Sequence, residues 1–255
     1  MIPAFLIGGG WEPEGWSQTY GPFVQAAQVS GRCRISLILA ADHNDEKMEI
    51  ATKYRSVFET LGVPAEEMTI VWISETSPLK PEVLAASQPT GVFVGGGLTP
   101  AYQTALCSDK TWLDYLHQKQ IPYAGFSAGA AIAVERAIVG GWKVRRAEQE
   151  IGILDADFGE GIEYLEVRPG LGLLPFAVDV HASQWGTITR LMQAVDLGMV
   201  ADGWAIDENT LVHAYGDQLI VGGLGHAYHV QRREAGELSI RMYRAGQSVE
   251  FRASS

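Results

Sequence analysis

Apolar and polar positions along the first half of the chain alternate between two periods. Short apolar runs stand at 4–9 (AFLIGG), 35–41 (ISLILAA), 69–74 (TIVWIS), 91–96 (GVFVGG) and 122–126 (PYAGF). Each is rich in Ile, Val or Phe and is bounded by Gly or Asp, which predicts buried strands. Between them the spacing changes to three and four. Over 44–62, Met48, Ala51, Tyr54, Val57, Phe58 and Leu61 fall on one face, with Asp42 or Asn44 as the expected cap and Gly62 as the stop. A second helix is predicted from Thr99, as the capping residue before Pro100, and a third over 110–119.

Strand–helix–strand alternation implies an α/β fold, with a mostly parallel, doubly wound sheet covered by helices on both faces. Ligands in such sheets bind beyond the carboxyl ends of the strands. Gly8–Gly10, Gly95–Gly97 and Ser127 all follow strand ends, so all three are expected at one edge. The pattern then changes. Residues 142–172 are polar and Gly-rich, beginning WKVRRAEQE, and read as a hairpin or excursion. LPFAVDV (174–180) predicts another buried strand, followed by a helix over 184–194 and then additional C-terminal strands with turns at Gly216-Asp217 and Ala245-Gly246. No linker or repeat interrupts the 255 residues, and a single domain over 1–255 is expected.

Composition narrows the function classes. The hydrophobic fraction of 47% is that of a globular chain, and the net charge of −11 comes with no basic cluster. Neither nucleic acid nor an anionic membrane is therefore an expected partner. Cys33 and Cys107 stand far apart, without metal or redox spacing, and read as packing residues. With no signal-like start, the expected location is cytoplasmic.

The candidate chemistry lies in Gly125-Phe126-Ser127-Ala128-Gly129. This G-x-S-x-G, with a strand before it and a helix after it, fits a Ser nucleophile on a tight turn whose neighbours two positions away must be small. A small-residue helix packed closely on a sheet would give the same pentapeptide. A reactive Ser needs a base. His181 ends the strand predicted over 174–180 and is the first candidate, with His43 in reserve. His117 lies within a helix, and His213, His226 and His229 sit in the C-terminal strands. The glycines after the strand at 91–94 offer an oxyanion donor, Gly96 or Gly97, beside the N–H of Ala128. No Gly-Lys-Ser/Thr follows either Gly triplet, which excludes a phosphate loop. No group of side chains has zinc spacing, and no cofactor is called for.

IGGG near the start, FVGGG at 93–97, GFSAGAAIA at 125–133, DVHASQWGTITRL at 179–191 and GWAIDENTLV at 203–212 occur together in order. In this combination the chain resembles the dipeptidase E and cyanophycinase family of serine peptidases. The resemblance implies a class I glutamine amidotransferase-like fold, Ser127 as nucleophile, His181 as base, and hydrolysis of short peptides. It departs from the family in three places. Trp185 and Thr187 stand where relatives carry Arg residues, leaving Arg190, so strict Asp specificity is not expected and Trp185 is expected to give the pocket an apolar face. Leu98 replaces a polar residue beside the oxyanion loop. Arg145 occupies the place of the acid that orients His181, which makes Glu150 or Glu148 the expected substitute. Asp207 and Glu208 are read as turn or capping residues. A homodimer stays open. Two other classes also stay open: an α/β-hydrolase esterase using His226 or His229, and a catalytically inactive amidotransferase-like binding protein. An amidotransferase itself is disfavoured, because its Cys nucleophile is Ser here.

Overall fold

The computed structural model describes residues 2–41, 43–233 and 236–251. In chain order the strands are β1 (Ala4–Ile7), β2 (Ile35–Ala40), β3 (Met68–Ile73), β4 (Gly91–Val94), β5 (Tyr123–Phe126), β6 (Arg136–Gly140), β7 (Lys143–Arg146), β8 (Gln149–Gly152), β9 (Glu166–Pro169), β10 (Ala177–Val180), β11 (Asp202–Ile206), β12 (Thr210–Tyr215), β13 (Gln218–Gly223), β14 (His226–Arg232), β15 (Leu238–Arg244) and β16 (Ser248–Glu250). The helices are α1 (Trp16–Thr19), α2 (Gly21–Ala26), α3 (Asn44–Thr60), α4 (Pro81–Ser87), α5 (Thr99–Cys107), α6 (Thr111–Lys119), α7 (Ala128–Ile132) and α8 (Ile188–Asp196).

Eight strands form the main sheet in the order β16-β13-β12-β1-β5-β4-β2-β3. The five from β1 to β3 run parallel, and β12, β13 and β16 extend the sheet antiparallel beyond β1. The expected α/β architecture with extra C-terminal strands holds. Side chains of a strand alternate between faces. Phe5 and Ile7 accordingly join a core with Phe23 of α2 and Phe58 of α3, while Ala4 and Leu6 join one with Tyr102 of α5, Trp112 of α6 and Ala130 of α7. The periodic face of α3 is buried at Ala51, Tyr54, Val57 and Phe58, but Met48 is exposed. The caps expected at Asp42 and in the Asn44 side chain lie outside what is described.

The second half departs from the expectation of one sheet. Strands β10, β11, β14 and β15 form a separate four-stranded sheet. The strand leading to His181 therefore belongs to this second sheet, and pairs in parallel with β11. The excursion opens with the hairpin β7–β8, followed by a 3-10 turn at Ala156–Phe158 and by β9, which pairs with β6. Helix α8 starts four residues later than its apolar pattern suggested, because 181–187 make the turns that carry His181 and Trp185. Among the described residues no helix is long and apolar enough to cross a membrane.

Candidate active site

The parallel register sets β1, β5 and β4 side by side, so the segments following Ile7, Phe126 and Val94 meet at one edge. Ser127 stands between β5 and α7 with φ 51° and ψ −112°, a conformation costly for a residue with a Cβ. It is held there by its own peptide. The Ser127 N–H donates to the carbonyl of Ile7, and its carbonyl accepts from the N–H groups of Ala130 and Ala131. The flanking glycines are a steric requirement. A Cβ at Gly125 would lie 2.3 Å from the Gly129 carbonyl oxygen, and one at Gly129 would lie 2.4 Å from that of Val94. The pentapeptide is thus a strand–turn–helix, with α7 beginning right after the hydroxyl.

Ser127 Oγ lies 2.9 Å from Nε2 of His181. His181 comes from the second sheet, but its backbone N–H donates to the carbonyl of Gly8 and so ties the strand end to the main sheet. Its Nδ1 lies 2.7 Å from Oε1 of Glu208. A carboxylate at Nδ1 keeps the ring proton there and leaves the Nε2 lone pair facing the Ser127 hydroxyl. The expected acids are therefore corrected. Glu150 pairs with Arg145 across the β7–β8 hairpin and with the Tyr164 hydroxyl, and these partners hold its carboxyl below the usual range. Glu148 is exposed at the hairpin tip. The hairpin register places both on a solvated ribbon.

Glu208 sits in the turn from β11 to β12, which Asp207 and Asn209 fix. Buried Asp207 accepts hydrogen bonds from the Ser183 N–H and hydroxyl and from the His226 N–H. The Asn209 N–H donates to the Gly9 carbonyl, while its Oδ1 accepts from the Glu12 N–H. Asp207 is the turn residue expected of it. Glu208 is not, since it is the group at His181.

His181 is also clamped on both faces. A Cβ at Gly9 would lie 2.1 Å from its Cε1, so only a glycine leaves room for the ring on that side. On the other side the Trp185 indole stacks at 3.7 Å between ring centroids and 8° between planes. Phe158 stacks on Trp185 in turn, at 5.0 Å and 14°. Two rings this close to one indole cannot share a face, so Trp185 is sandwiched and presents an edge to the cavity. The apolar face expected for substrate is occupied by His181 and Phe158. Thr187 is buried, donating to the Val180 carbonyl, and Arg190 is buried in a two-bond pair with Asp179. Neither borders the cavity.

Beside Ser127 the Gly96 peptide is fixed by two tyrosines. Its N–H donates to the Tyr54 hydroxyl at 2.7 Å, and its carbonyl accepts from the Tyr102 hydroxyl at 3.2 Å. Burial pushes both phenols above their ordinary pKa, which keeps these hydroxyls neutral. Of the two glycines expected as donors, Gly96 is thus engaged. The N–H groups of Gly97 and Ala128 have no partner among the described residues. All of this opens on a cavity of about 680 Å³, bordered also by Trp11, Lys53, Leu98 and Glu160. His43 is exposed at the start of α3 and does not reach it; His226 and His229 lie on β14, outside its lining. The order Ser, His, carboxylate along the chain is not that of an α/β-hydrolase. Among the described residues no group of three or more His, Cys, Asp or Glu side chains is arranged to hold a metal ion.

The sequence pattern of peptidase family S51 runs through residues 4–222. The chain belongs to that family. Cyanophycinases of Trichormus variabilis and of a Nostoc species are each 28% identical to it over 191 residues, 71% of this chain and 58% of theirs. The match thus takes in little more than half the length of these curated relatives. A peptidase from an acI-B1 Actinobacterium shares the fold, with a TM-score of 0.70 at 17% identity over 98% of both chains. Against this S51 frame, the residue that the sequence reading missed is Glu208. Its signal was the parallel pairing of β10 with β11, whose register sets Val180 opposite Ile206 and so brings both strand ends to one edge.

Proposed function

We propose that the chain is a serine peptidase that hydrolyses short peptides, with Ser127 as nucleophile, His181 as general base and acid, and Glu208 as the carboxylate that orients His181. The continuous hydrogen-bonded run from Ser127 Oγ through both ring nitrogens of His181 to Glu208 carries this reading. His181 Nε2 takes the hydroxyl proton as Oγ adds to the peptide carbonyl carbon. The carbonyl oxygen gains the negative charge and is met by the N–H groups of Gly97 and Ala128, donors of the kind worth roughly 10²–10³-fold in rate each. The imidazolium then protonates the leaving nitrogen as the C–N bond breaks. Water, deprotonated by the same ring, releases the acyl group from Ser127.

Strict preference for an acidic residue is not part of this proposal. Arg190 is committed to Asp179 and to the carbonyl of Phe158, and Lys53, which borders the cavity, lies over the Trp11 ring at 4.1 Å. Among the described residues no bidentate partner for a substrate carboxylate borders the cavity, and desolvating that group without one is costly. The test is labelling with a fluorophosphonate probe followed by a dipeptide screen. Wild-type protein should be labelled at Ser127, and Ser127→Ala should be neither labelled nor active. Labelling at another residue, or full hydrolysis by Ser127→Ala, would overturn the assignment.

A further inference from the structure

Glu160 borders the same cavity as Ser127 and takes no part in the mechanism above. It belongs to the excursion between α7 and β10, which brings it back over the oxyanion loop. One carboxylate oxygen, Oε2, accepts the Thr99 N–H at 3.0 Å, two residues beyond Gly97. The sequence expected Thr99 to cap α5; instead the N-cap is Leu98, without a side-chain bond, and Glu160 supplies the acceptor from a distant segment. That single bond leaves most of the carboxylate's acceptor capacity unused. Among the described residues no cationic side chain forms an ion pair with it. Arg190, whose charge acts on it, is bound to Asp179.

The backbone is arranged to hold this side chain in place. Glu160 has φ 58°, an unusual value for a residue with a long side chain, and stands between Gly159 and Gly161. Gly140 makes room for it: a Cβ there would come within 2.9 Å of the Glu160 Cβ. Burial raises the carboxyl above its ordinary value, partly offset by the Thr99 N–H and by the charge of Arg190. A desolvated carboxylate with no counter-ion is unfavourable in the free protein, and a cation entering from the substrate removes that cost. Glu46, Glu49 and Asp157 border the cavity too, against Lys53 as the one Lys or Arg among the described lining residues, so the field there favours positive charge.

We propose that Glu160 is the seat for a positive group, ammonium or guanidinium, on the residue whose carbonyl Ser127 attacks. The proposal rests on the peptidase reading for the placement of that carbonyl. Glu160 is bonded at Thr99, two residues along from Gly97 in the loop that receives the carbonyl oxygen, and the acyl residue is the part of the substrate assigned to it. Both the α-ammonium of an unblocked peptide and a Lys or Arg side chain have the required chemistry.

Equilibrium binding separates this proposal from the catalytic one. Ser127→Ala protein is titrated calorimetrically with Lys-Ala, Arg-Ala, Leu-Ala and Asp-Ala, and with N-acetylated Lys-Ala and Leu-Ala. The same series is run on Ser127→Ala/Glu160→Gln, whose amide oxygen still accepts the Thr99 N–H while the charge is gone. Thermal unfolding of both proteins checks the fold. A side-chain seat makes Lys-Ala and Arg-Ala bind at least about tenfold tighter than Leu-Ala, and acetylation preserves that ratio. An α-ammonium seat makes the unblocked peptides bind at least about tenfold tighter than their acetylated forms. In either case Glu160→Gln should bring the ratio to within about twofold, and binding should weaken as pH falls and Glu160 takes up a proton. Asp-Ala binding as tightly as Lys-Ala would exclude the side-chain seat and leave the α-ammonium seat; absence of both preferences, or a preference unchanged by Glu160→Gln, would overturn the proposal. A failure of Ser127 to label, with the binding preference intact, would count against the peptidase reading alone.

Discussion

The Trp185 indole lies flat on the His181 imidazole, 3.7 Å between centroids and 8° from parallel. In the proposed mechanism the ring it covers gains a positive charge on accepting the Ser127 proton, and an aromatic face attracts such a cation, most strongly when both are shielded from water. The stack also fixes the ring plane that aims Nε2 at Oγ. Trp185→Ala should therefore lower kcat by about tenfold to a hundredfold with a smaller change in KM, and Trp185→Phe should recover most of the loss. Steady-state kinetics on one dipeptide decides it. A change confined to KM would make Trp185 a substrate contact only.

Glu208 gives a sharper test, because the sequence points elsewhere. If it orients His181, Glu208→Gln should lower kcat by roughly 10²–10⁴-fold, since an amide no longer selects the ring tautomer that leaves Nε2 unprotonated. Glu150→Gln should leave kcat within about twofold, for Glu150 is exposed and neither it nor its partners Arg145, Lys143 and Tyr164 border the cavity. The reverse ranking of these two variants would restore the hairpin acid.

The main sheet and the Ser127 turn were legible in the sequence because both are local. Strand runs and glycine spacing are set by neighbours within a few residues, and Gly125 and Gly129 are required by contacts of that kind and by the adjacent strand. His181 was legible as a residue but its setting was not. Nothing in LPFAVDV distinguishes a strand of the main sheet from one of a second sheet. Glu208 depended on the β10–β11 register, a long-range pairing that no local pattern encodes. The consecutive Asp207-Glu208 did carry a signal in hindsight. Two adjacent carboxylates after a strand point in different directions, and here one holds the turn while the other reaches His181.

Gly9 tests how closely the ring is held. It has φ 106°, and a Cβ added there would lie 2.1 Å from His181 Cε1 and 2.6 Å from Nδ1. Gly9→Ala must push the ring toward Trp185 or shift the β1 loop, in addition to about 1–3 kcal/mol of backbone strain. Displacement near 1 Å at a catalytic group costs on the order of 10²-fold. The expected result is a folded protein with at least that loss in kcat and with weakened fluorophosphonate labelling. Near-normal labelling would mean that the ring tolerates movement that the hydrogen bonds do not show.

The buried pair of Arg190 and Asp179 supports this arrangement from behind. Both side chains are almost fully covered, with two bonds of 2.8 and 2.7 Å between them, and Arg190 also donates to the Phe158 carbonyl at 3.1 Å. It thereby anchors the ring that backs Trp185. Removing one partner strands a buried charge, so Arg190→Met should destabilise the protein by about 3–5 kcal/mol in denaturant unfolding. Adding Asp179→Leu removes the stranded charge and should recover much of that stability. Activity should behave differently, because the double variant still lacks the bond to Phe158. A double variant that regains stability but not kcat would separate the support of the aromatic stack from the stability of the fold. Full recovery of both would show that the Phe158 anchor is dispensable.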